Sequence, residues 1–482
     1  MKREILSISE ILSKHNIENI SLDSRNINRD KNTVFFAVKG TKLSGNDFIA
    51  DAIRNGAKFV VTEEKIKKNQ LNKNQNLIYY VDDIKKALGK AAKHLYPKEP
   101  KNLFAVTGTS GKTSTIYYVW KICKLLNIKA ACFGTLGNLY NSESDSNRVI
   151  NTTTNIINLR KNLDYFTNKG AEYIAFEASS IGIEQRRLEG LKANAAAFTS
   201  LGQDHLDYHK NHANYLKNKL RLFTDHLSKD GIAVVSDGYN NVIKYLKLHN
   251  INYITVGSSG LCKILSYKRQ NEYYRVLFAF DNNNYVFNTN IIGFFQIKNL
   301  LIAVLLLYKS GIDIHEMVNI LTNINSPPFR MESIKNNRGY NIFIDFAHTP
   351  IAIENALKAL INIKKQYNSK LIIVFGCGGD RDKEKRPLMG AIADRYADIA
   401  IVTDDNPRFE DPQKIRSSIM ASIKQAVEIG DRREAIYYAI SLMEKNDILL
   451  IAGKGHEAYQ IIGDKLVDFN DKIVVEECLQ VR

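Results

Sequence analysis

Residues 103–115, LFAVTGTSGKTST, hold the side chains whose order most directly implies chemistry. The four leading apolar residues suit a buried strand, Gly108 and Gly111 allow a tight turn, and Lys112 and Thr113 open a helix. Backbone N–H groups along such a turn, here Gly108, Thr109, Ser110, Gly111, Lys112, Thr113 and Ser114, can surround a polyphosphate with help from the helix dipole. Lys112 would reach the terminal phosphates, and the Thr113 hydroxyl suits Mg²⁺. The loop departs from the usual GxxxxGK[ST] pattern, because Val106 stands where its first glycine belongs.

Other candidates follow apolar runs, where strands end. Glu177 closes YIAFE just before Ala178, Ser179 and Ser180, and His205 follows AAFTSL within LGQDHLDYH. On that edge they could bind Mg²⁺ or orient phosphate; taken alone, His205 reads as a structural histidine. Further along come Asp345 and His348, GCGGDRD at 376–382, DDNPR at 404–408 and GKGHE at 453–457. Polar clusters at 23–25 and 45–48 read, on their own, as turns and caps.

These residues need scaffolds, and the hydrophobic pattern supplies three. Residues 1–98 carry strand-like VFFAV and KFVVT, helices at 48–55 and from Asp82 towards Leu95, and a linker marked by Pro97 and Pro100. The polar tract 65–76 reads as a solvated loop or helix face. From about 99 to 325, strands IKAACFG, AEYIAFEASS, NAAAFTSL and GIAVVSD alternate with helices, which implies a doubly wound parallel sheet. Residues 253–290 are expected to form a small antiparallel excursion of ITV, EYYRVLFAF and NYVFNTN, followed by a helix over 296–309. Residues 326–482 alternate again, giving a second open α/β sheet with no phosphate loop.

Composition narrows the function classes. The 482 residues lack an apolar run long enough to span a membrane, and the first sixteen lack a signal peptide's apolar centre, so a cytoplasmic location is expected. Five scattered cysteines without a CxxC pair suggest reduced thiols. The net charge of +16 is spread along the chain, which favours polyanionic small substrates over nucleic acid.

Taken together, TGTSGKT, EASS, TSLGQDHLDYH, the Tyr215–Lys219–Phe223 spacing, RMES, DFAHTP, GCGGDRD, KRPLM, DNPR and GKGHE resemble, in order, the Mur ligases of peptidoglycan synthesis. The MurE type is the nearest match, and the resemblance covers essentially the whole chain. It accounts for the missing glycine and implies three α/β domains: a uridine-nucleotide-binding domain at 1–98, a central ATP-binding domain of P-loop type at 99–325, and a Rossmann-like amino-acid-binding domain at 326–482.

The implied reaction is ATP-dependent amide formation at the D-glutamate γ-carboxylate of UDP-N-acetylmuramoyl-L-alanyl-D-glutamate, through an acyl phosphate, serving cell-wall growth and division. By resemblance, Thr113, Glu177, His205 and Lys219 hold Mg²⁺, with Lys219 carbamylated, while Asn299, Arg330, Asp345 and His348 surround ATP. The nucleotide sugar falls to Ser24, Thr152, Thr153, Ser179, Gln185 and Arg187; the residues alone leave Thr152 and Thr153 open as helix caps. Arg408 and Arg381 would clamp the distal carboxylate of meso-diaminopimelate, beside Asp405 and Asn406, with Gly453 and Glu457 receiving its amino group.

Meso-lanthionine presents the same terminal groups, whereas L-lysine lacks the carboxylate that Arg408 needs. The rivals are a folylpolyglutamate synthetase, a nucleic-acid-binding NTPase and a silent binding protein; the first domain, the dispersed charge and the retained Lys112, Glu177, His205 and Lys219 argue against each in turn. The chain departs from the family pattern at Thr154, Ile181, Gln296 and Asn46, where Pro, His, Asn and His are usual. A monomer is expected, whose third domain swings to close over ATP.

Overall fold

Strands that are apolar along their whole length must be covered on both faces, and the run before the glycine loop obeys this rule. The computed structural model describes residues 8–40, 43–64, 78–141, 143–145 and 152–480. In it the strand Asn102–Thr107 is buried at every position and lies parallel between Tyr173–Glu177 and Ala193–Phe198. Leu227–Ser236 and Tyr253–Gly257 extend the sheet on one side and Ala130–Gly134 on the other. Register then builds the edge that matters, because Val106 pairs with Glu177 and Thr107 with Phe198. The carboxylate of Glu177 and the turn after Phe198 are thereby fixed beside the loop.

Tyr253–Gly257 differs from its sequence expectation. It pairs in parallel with Leu227–Ser236, since its buried run completes the central sheet rather than starting an excursion. The antiparallel ribbon is built from Cys262–Gln270, Tyr273–Phe280 and Asn283–Thr289. The first of these is not anticipated by the sequence reading, because Ser266, Lys268 and Arg269 blur its alternation.

The loop itself depends on two glycines. Gly108 has φ +148°, and a Cβ there would meet Thr199 Oγ1 at 2.0 Å; Gly111 has φ +93°, and its Cβ would meet Asn299 Oδ1 at 2.6 Å. Asn299 comes from the helix Phe294–Tyr308, which is apolar on nearly every face and buried from Leu300 to Leu307, as befits a helix inside a core. Each of its buried leucines contributes roughly 1.5–3 kcal/mol, so Asn299 is held against the loop by strong apolar packing.

The first unit is a four-stranded parallel sheet in chain order, Asn19–Ser21, Thr33–Phe36, Phe59–Thr62 and Ile78–Tyr80. Its helix Ile84–Leu95 is capped by Asp83, which accepts from the Lys86 N–H. One apolar cluster runs from Val34, Phe59 and Ala91 through to Leu163 and Phe176, joining this unit to the central sheet. The tract 65–76 lies outside the described residues.

In the third unit, Asn341–Asp345, Ile448–Ala452, Leu371–Phe375, Ile399–Val402 and Ala426–Glu428 form a parallel sheet, with Glu332–Ile334 antiparallel at its edge. Asp345 pairs with Ala452, and Phe375 with Val402, so the loops bearing His348, Gly376, Asp405 and Gly453 all leave from one edge. A hairpin, Tyr459–Ile462 with Lys465–Asp468, projects beside them. Among the described residues, no helix is long and apolar enough to cross a membrane, and Cys123, Cys132, Cys262 and Cys377 are buried free thiols.

Candidate active site

Two cavities meet where the central and third units face each other. One, of about 240 Å³, is lined by the glycine loop together with Glu177, Asn299, Arg330, Asp345 and His348. The other, of about 390 Å³, is lined by Thr152, Thr153, Ser179 and Arg187 on one side and by Arg381, Asp405, Asn406, Arg408, Gly453 and Glu457 on the other. Thr152, Asp204, His205, Phe346 and His348 line both, so they mark the junction.

The loop is tied down by its neighbours. Thr199 Oγ1 and Ser200 Oγ donate to the Ser110 carbonyl at 2.5 and 2.9 Å, and the Ser110 N–H donates to Ser200 Oγ at 2.8 Å. Lys112 Nζ donates to the Gly108 and Thr109 carbonyls at 2.9 and 3.0 Å. Lys219 Nζ reaches the same Gly108 carbonyl at 2.9 Å from below, on the helix His212–Asp225, and lies 4.3 Å from the centre of the Tyr215 ring. Burial, and then the nearby Lys112 charge, push the Lys219 ammonium well below its usual pKa.

Thr113 Oγ1 donates to Glu177 Oε1 at 3.0 Å, and that oxygen also accepts from the Thr135 N–H at 2.7 Å. Glu177 Oε2 is buried with no hydrogen-bond partner among the described residues. A buried carboxylate oxygen left bare beside a threonine hydroxyl is the donor set a small hard cation would complete, so these residues fit Mg²⁺. Among the described residues no three His, Cys, Asp or Glu converge, so Thr113 and Glu177 would fill only part of such an ion's coordination.

His205 takes φ +53°, and its Nε2 lies 3.4 Å from Asp204 Oδ2. Burial pushes Asp204 up, but His205, His348 and Lys385 outweigh it and hold the carboxyl below its usual range. Arg330 crosses between units to donate to Thr113 Oγ1 at 3.2 Å, and its guanidinium stacks 4.5 Å from the Phe346 ring. Asp345 accepts from the Met331 and Ala347 N–H groups, both at 2.7 Å. Its burial pushes it up to about 6 against the pull of Arg330. His348 Nδ1 donates to the Phe346 carbonyl at 2.7 Å, and burial lowers the ring to about 4.

On the facing wall, Thr153 Oγ1 donates to the Glu177 carbonyl at 2.8 Å and accepts from the Ser179 N–H at 2.8 Å. Asn155, not Thr152 or Thr153, caps the helix Ile156–Asn168, which removes the capping alternative. Arg187 donates to the Thr153 carbonyl at 2.6 Å and to Gln185 Oε1 at 2.8 Å. Ser24 is buried in the first unit and lines neither cavity.

At the far end, Arg408 has φ +55°, donates to the Gly379 carbonyl at 2.9 Å, and is lowered by burial and by Arg381. Arg386 grips Glu410 through two 2.8 Å bonds, which anchors the loop that presents Arg381. Asp204, Thr135, Phe346 and Lys385 line or brace these cavities without having been singled out by the sequence reading. Asp204 directly precedes His205 at a strand's carboxyl end, which is the signal that could have marked it.

Comparison with known proteins matches this arrangement along its length. Residues 16–96 match the Mur ligase family catalytic domain, 106–307 the Mur ligase middle domain, and 329–455 the Mur ligase glutamate ligase domain. The chain belongs to the Mur ligase family. A UDP-N-acetylmuramoyl-L-alanyl-D-glutamate--2,6-diaminopimelate ligase from Rickettsia bellii (strain RML369-C) is 48% identical over 472 residues, covering 96% of each chain. A solved structure of a ligase bearing the same name superposes with TM-score 0.65 and 29% identity, covering 96% of this Mur ligase and 94% of that chain. The MurF ligase of Thermotoga maritima in complex with ADP shares the fold at TM-score 0.66 and 19% identity, covering 96% and 97%.

Proposed function

We propose that this Mur ligase uses ATP to join meso-diaminopimelate to the D-glutamate γ-carboxylate of UDP-N-acetylmuramoyl-L-alanyl-D-glutamate. The observation that carries this reading is the junction itself: a phosphate cradle opens directly into a cavity with arginines and a carboxylate at its far end. A carboxylate resists attack by an amine. Phosphorylating it gives an acyl phosphate, from which the amine displaces phosphate, with ADP and phosphate as by-products. Lys112 swings from its loop carbonyls to the phosphates of ATP, while Asn299, Arg330, Asp345 and His348 surround the rest of the nucleotide.

Thr113 and Glu177, with His205 nearby, would hold Mg²⁺, which when bound neutralises phosphate charge. Lys219 is suited to carbamylation, because burial lowers its pKa and so favours the neutral amine, the form that adds CO₂. The adduct would replace repulsion between Lys219 and Lys112 with an ion pair across the Gly108 carbonyl, and would offer the metal site an anion. Thr152, Thr153, Ser179, Gln185 and Arg187 receive the muramoyl peptide, and Ser24 in the first unit receives the uridine end.

Arg408, with Arg381 at the exposed rim, clamps the acceptor's distal carboxylate; Glu457, Asp405 and Gly453 receive its ammonium. Meso-lanthionine meets the same groups, whereas lysine would bring no anion to Arg408. The third unit closes on the loop as nucleotide binds, strengthening links such as the Gln203–Asp382 bond of 3.2 Å. The protein acts as a cytoplasmic monomer.

The test is phosphate release with ATP, Mg²⁺, the UDP-muramoyl dipeptide and diaminopimelate, omitting each in turn. Release that needs all of them and yields the tripeptide product supports the reading; release independent of the dipeptide would refute it.

A further inference from the structure

A lysine deep in the third unit has no counterpart in the reaction just described. Lys454 is fully buried, yet its ammonium has three partners: Asn406 Oδ1 at 3.1 Å, Glu457 Oε2 at 3.1 Å and the Tyr459 carbonyl at 2.6 Å. All three donors are used, which is what a buried charge requires.

Those partners are not arbitrary. Asn406 Nδ2 donates to the same Glu457 oxygen at 2.7 Å, and Asn406 Oδ1 also accepts from the Ile461 N–H at 3.0 Å. The amide of Asn406 is thus occupied in holding its neighbours. Glu457 Oε2 receives two donors, which leaves Oε1 as the carboxylate oxygen available to a ligand in the cavity that Glu457 lines. The strand from Tyr459 then continues to Arg408: the Arg408 N–H donates to the Ile461 carbonyl at 3.0 Å, and the Gly463 N–H donates to the Arg408 carbonyl at 2.8 Å. Two backbone bonds therefore hold Arg408 in a left-handed conformation that non-glycine residues rarely adopt.

We propose that Lys454 is a positioning residue for acceptor choice, fixing Glu457 and, through the hairpin strand Tyr459–Ile462, Arg408 at the spacing of a diamino dicarboxylic acid's distal ammonium and carboxylate. It touches no reacting atom. Its single cation ties together three parts of the clasp: the loop before Arg408, the loop bearing Glu457 and the hairpin strand. This rests on the acceptor reading given under Proposed function.

The experiment compares the full-length wild type with Lys454→Met under saturating ATP and UDP-muramoyl dipeptide. It measures kcat and KM for diaminopimelate, KM for ATP, and the ratio of kcat/KM for diaminopimelate to that for L-lysine. The expected result is a KM for diaminopimelate raised about tenfold or more. The expected kcat falls less than about threefold, ATP KM is unchanged, and selectivity over lysine is reduced. If Lys454→Met does not fold, Lys454→Gln keeps a hydrogen-bonding group of similar length and should show the same split. An unchanged KM for diaminopimelate in a folded variant overturns the proposal. So does a uniform loss of all three parameters, or failure of both variants to fold, because either marks a purely structural lysine. Failure of the parent reading is separate: the wild type itself would make no diaminopimelate product.

Discussion

The phosphate cradle and the acceptor clasp sit at opposite ends of one cleft and are built in opposite ways. The cradle is main chain: glycines at +148° and +93°, carbonyls gripped by Thr199 and Ser200, and a helix start, all within one short stretch. The clasp is side chain, with Asn406 and Arg408 from one loop and Lys454 and Glu457 from another, joined through hydrogen bonds to one another and to the hairpin. On the proposed reading, backbone geometry offers any polyphosphate the same amides, so the cradle would determine the reaction. A wired set of side chains recognises one arrangement of charges, so the clasp would determine the acceptor. Damage to the first should abolish turnover with every amino acid, and damage to the second should change which amino acid is used.

The largest effect should come from Lys112→Ala, with phosphate release falling by about 10³-fold or more whatever amino acid is supplied. A loss confined to diaminopimelate would break the division between the two ends. Next, Lys219→Ala should lose about 10²–10³-fold, with short carboxylates such as formate restoring part of the rate by replacing the proposed carbamate. Wild-type activity in the uncomplemented variant would remove Lys219 from the metal site.

A smaller and more selective change is expected for Arg408→Ala. Losing charge-assisted bonds worth roughly 1.5–3 kcal/mol lowers kcat/KM for diaminopimelate about 10–100-fold and leaves the KM for ATP unchanged. Steady-state kinetics with each substrate varied would reveal any spread of the defect to ATP.

The smallest effect concerns pH. His348 is held to about 4, below the usual 6.5, so the unfolded chain binds the proton more readily. Stability from this group is present above 6.5 and is lost as pH falls towards 4. Asp345, raised to about 6 from 3.8, has the opposite sign and gains stability as pH falls through 6. Thermal unfolding at pH 7.5 and 5.5 should therefore show a smaller acid-side drop for His348→Asn than for the wild type. An equal drop in both would exclude His348 as its source.

The same contrast explains what could be read from the chain alone. The cradle was legible because Gly108 to Ser114 are consecutive and glycine, lysine and threonine each have a local reason to be there. Glu177 and His205 were legible as polar residues closing apolar strands. Arg408 and Glu457 emerged through motif resemblance, but the wiring between them did not, since Lys454 meets Asn406 and Arg408 meets Ile461 only after the sheet brings their loops to one edge. Asp204 went unmarked because its importance lies in standing between two cavities, a property of packing. Tyr253–Gly257 was misplaced because a short apolar run fits a parallel or an antiparallel neighbour equally well, and Leu227–Ser236 decided the matter.

A competition tests acceptor choice by Arg408 most directly. The enzyme receives ATP, Mg²⁺, the UDP-muramoyl dipeptide and an equimolar mixture of meso-diaminopimelate, meso-lanthionine and L-lysine, and mass spectrometry reads the product ratio for the wild type and Arg408→Ala. The wild type should form the diaminopimelate tripeptide in large excess over the lysine product, and Arg408→Ala should narrow this excess at least tenfold. A lysine product dominating in the wild type, or a ratio unmoved by the substitution, would contradict that role of Arg408.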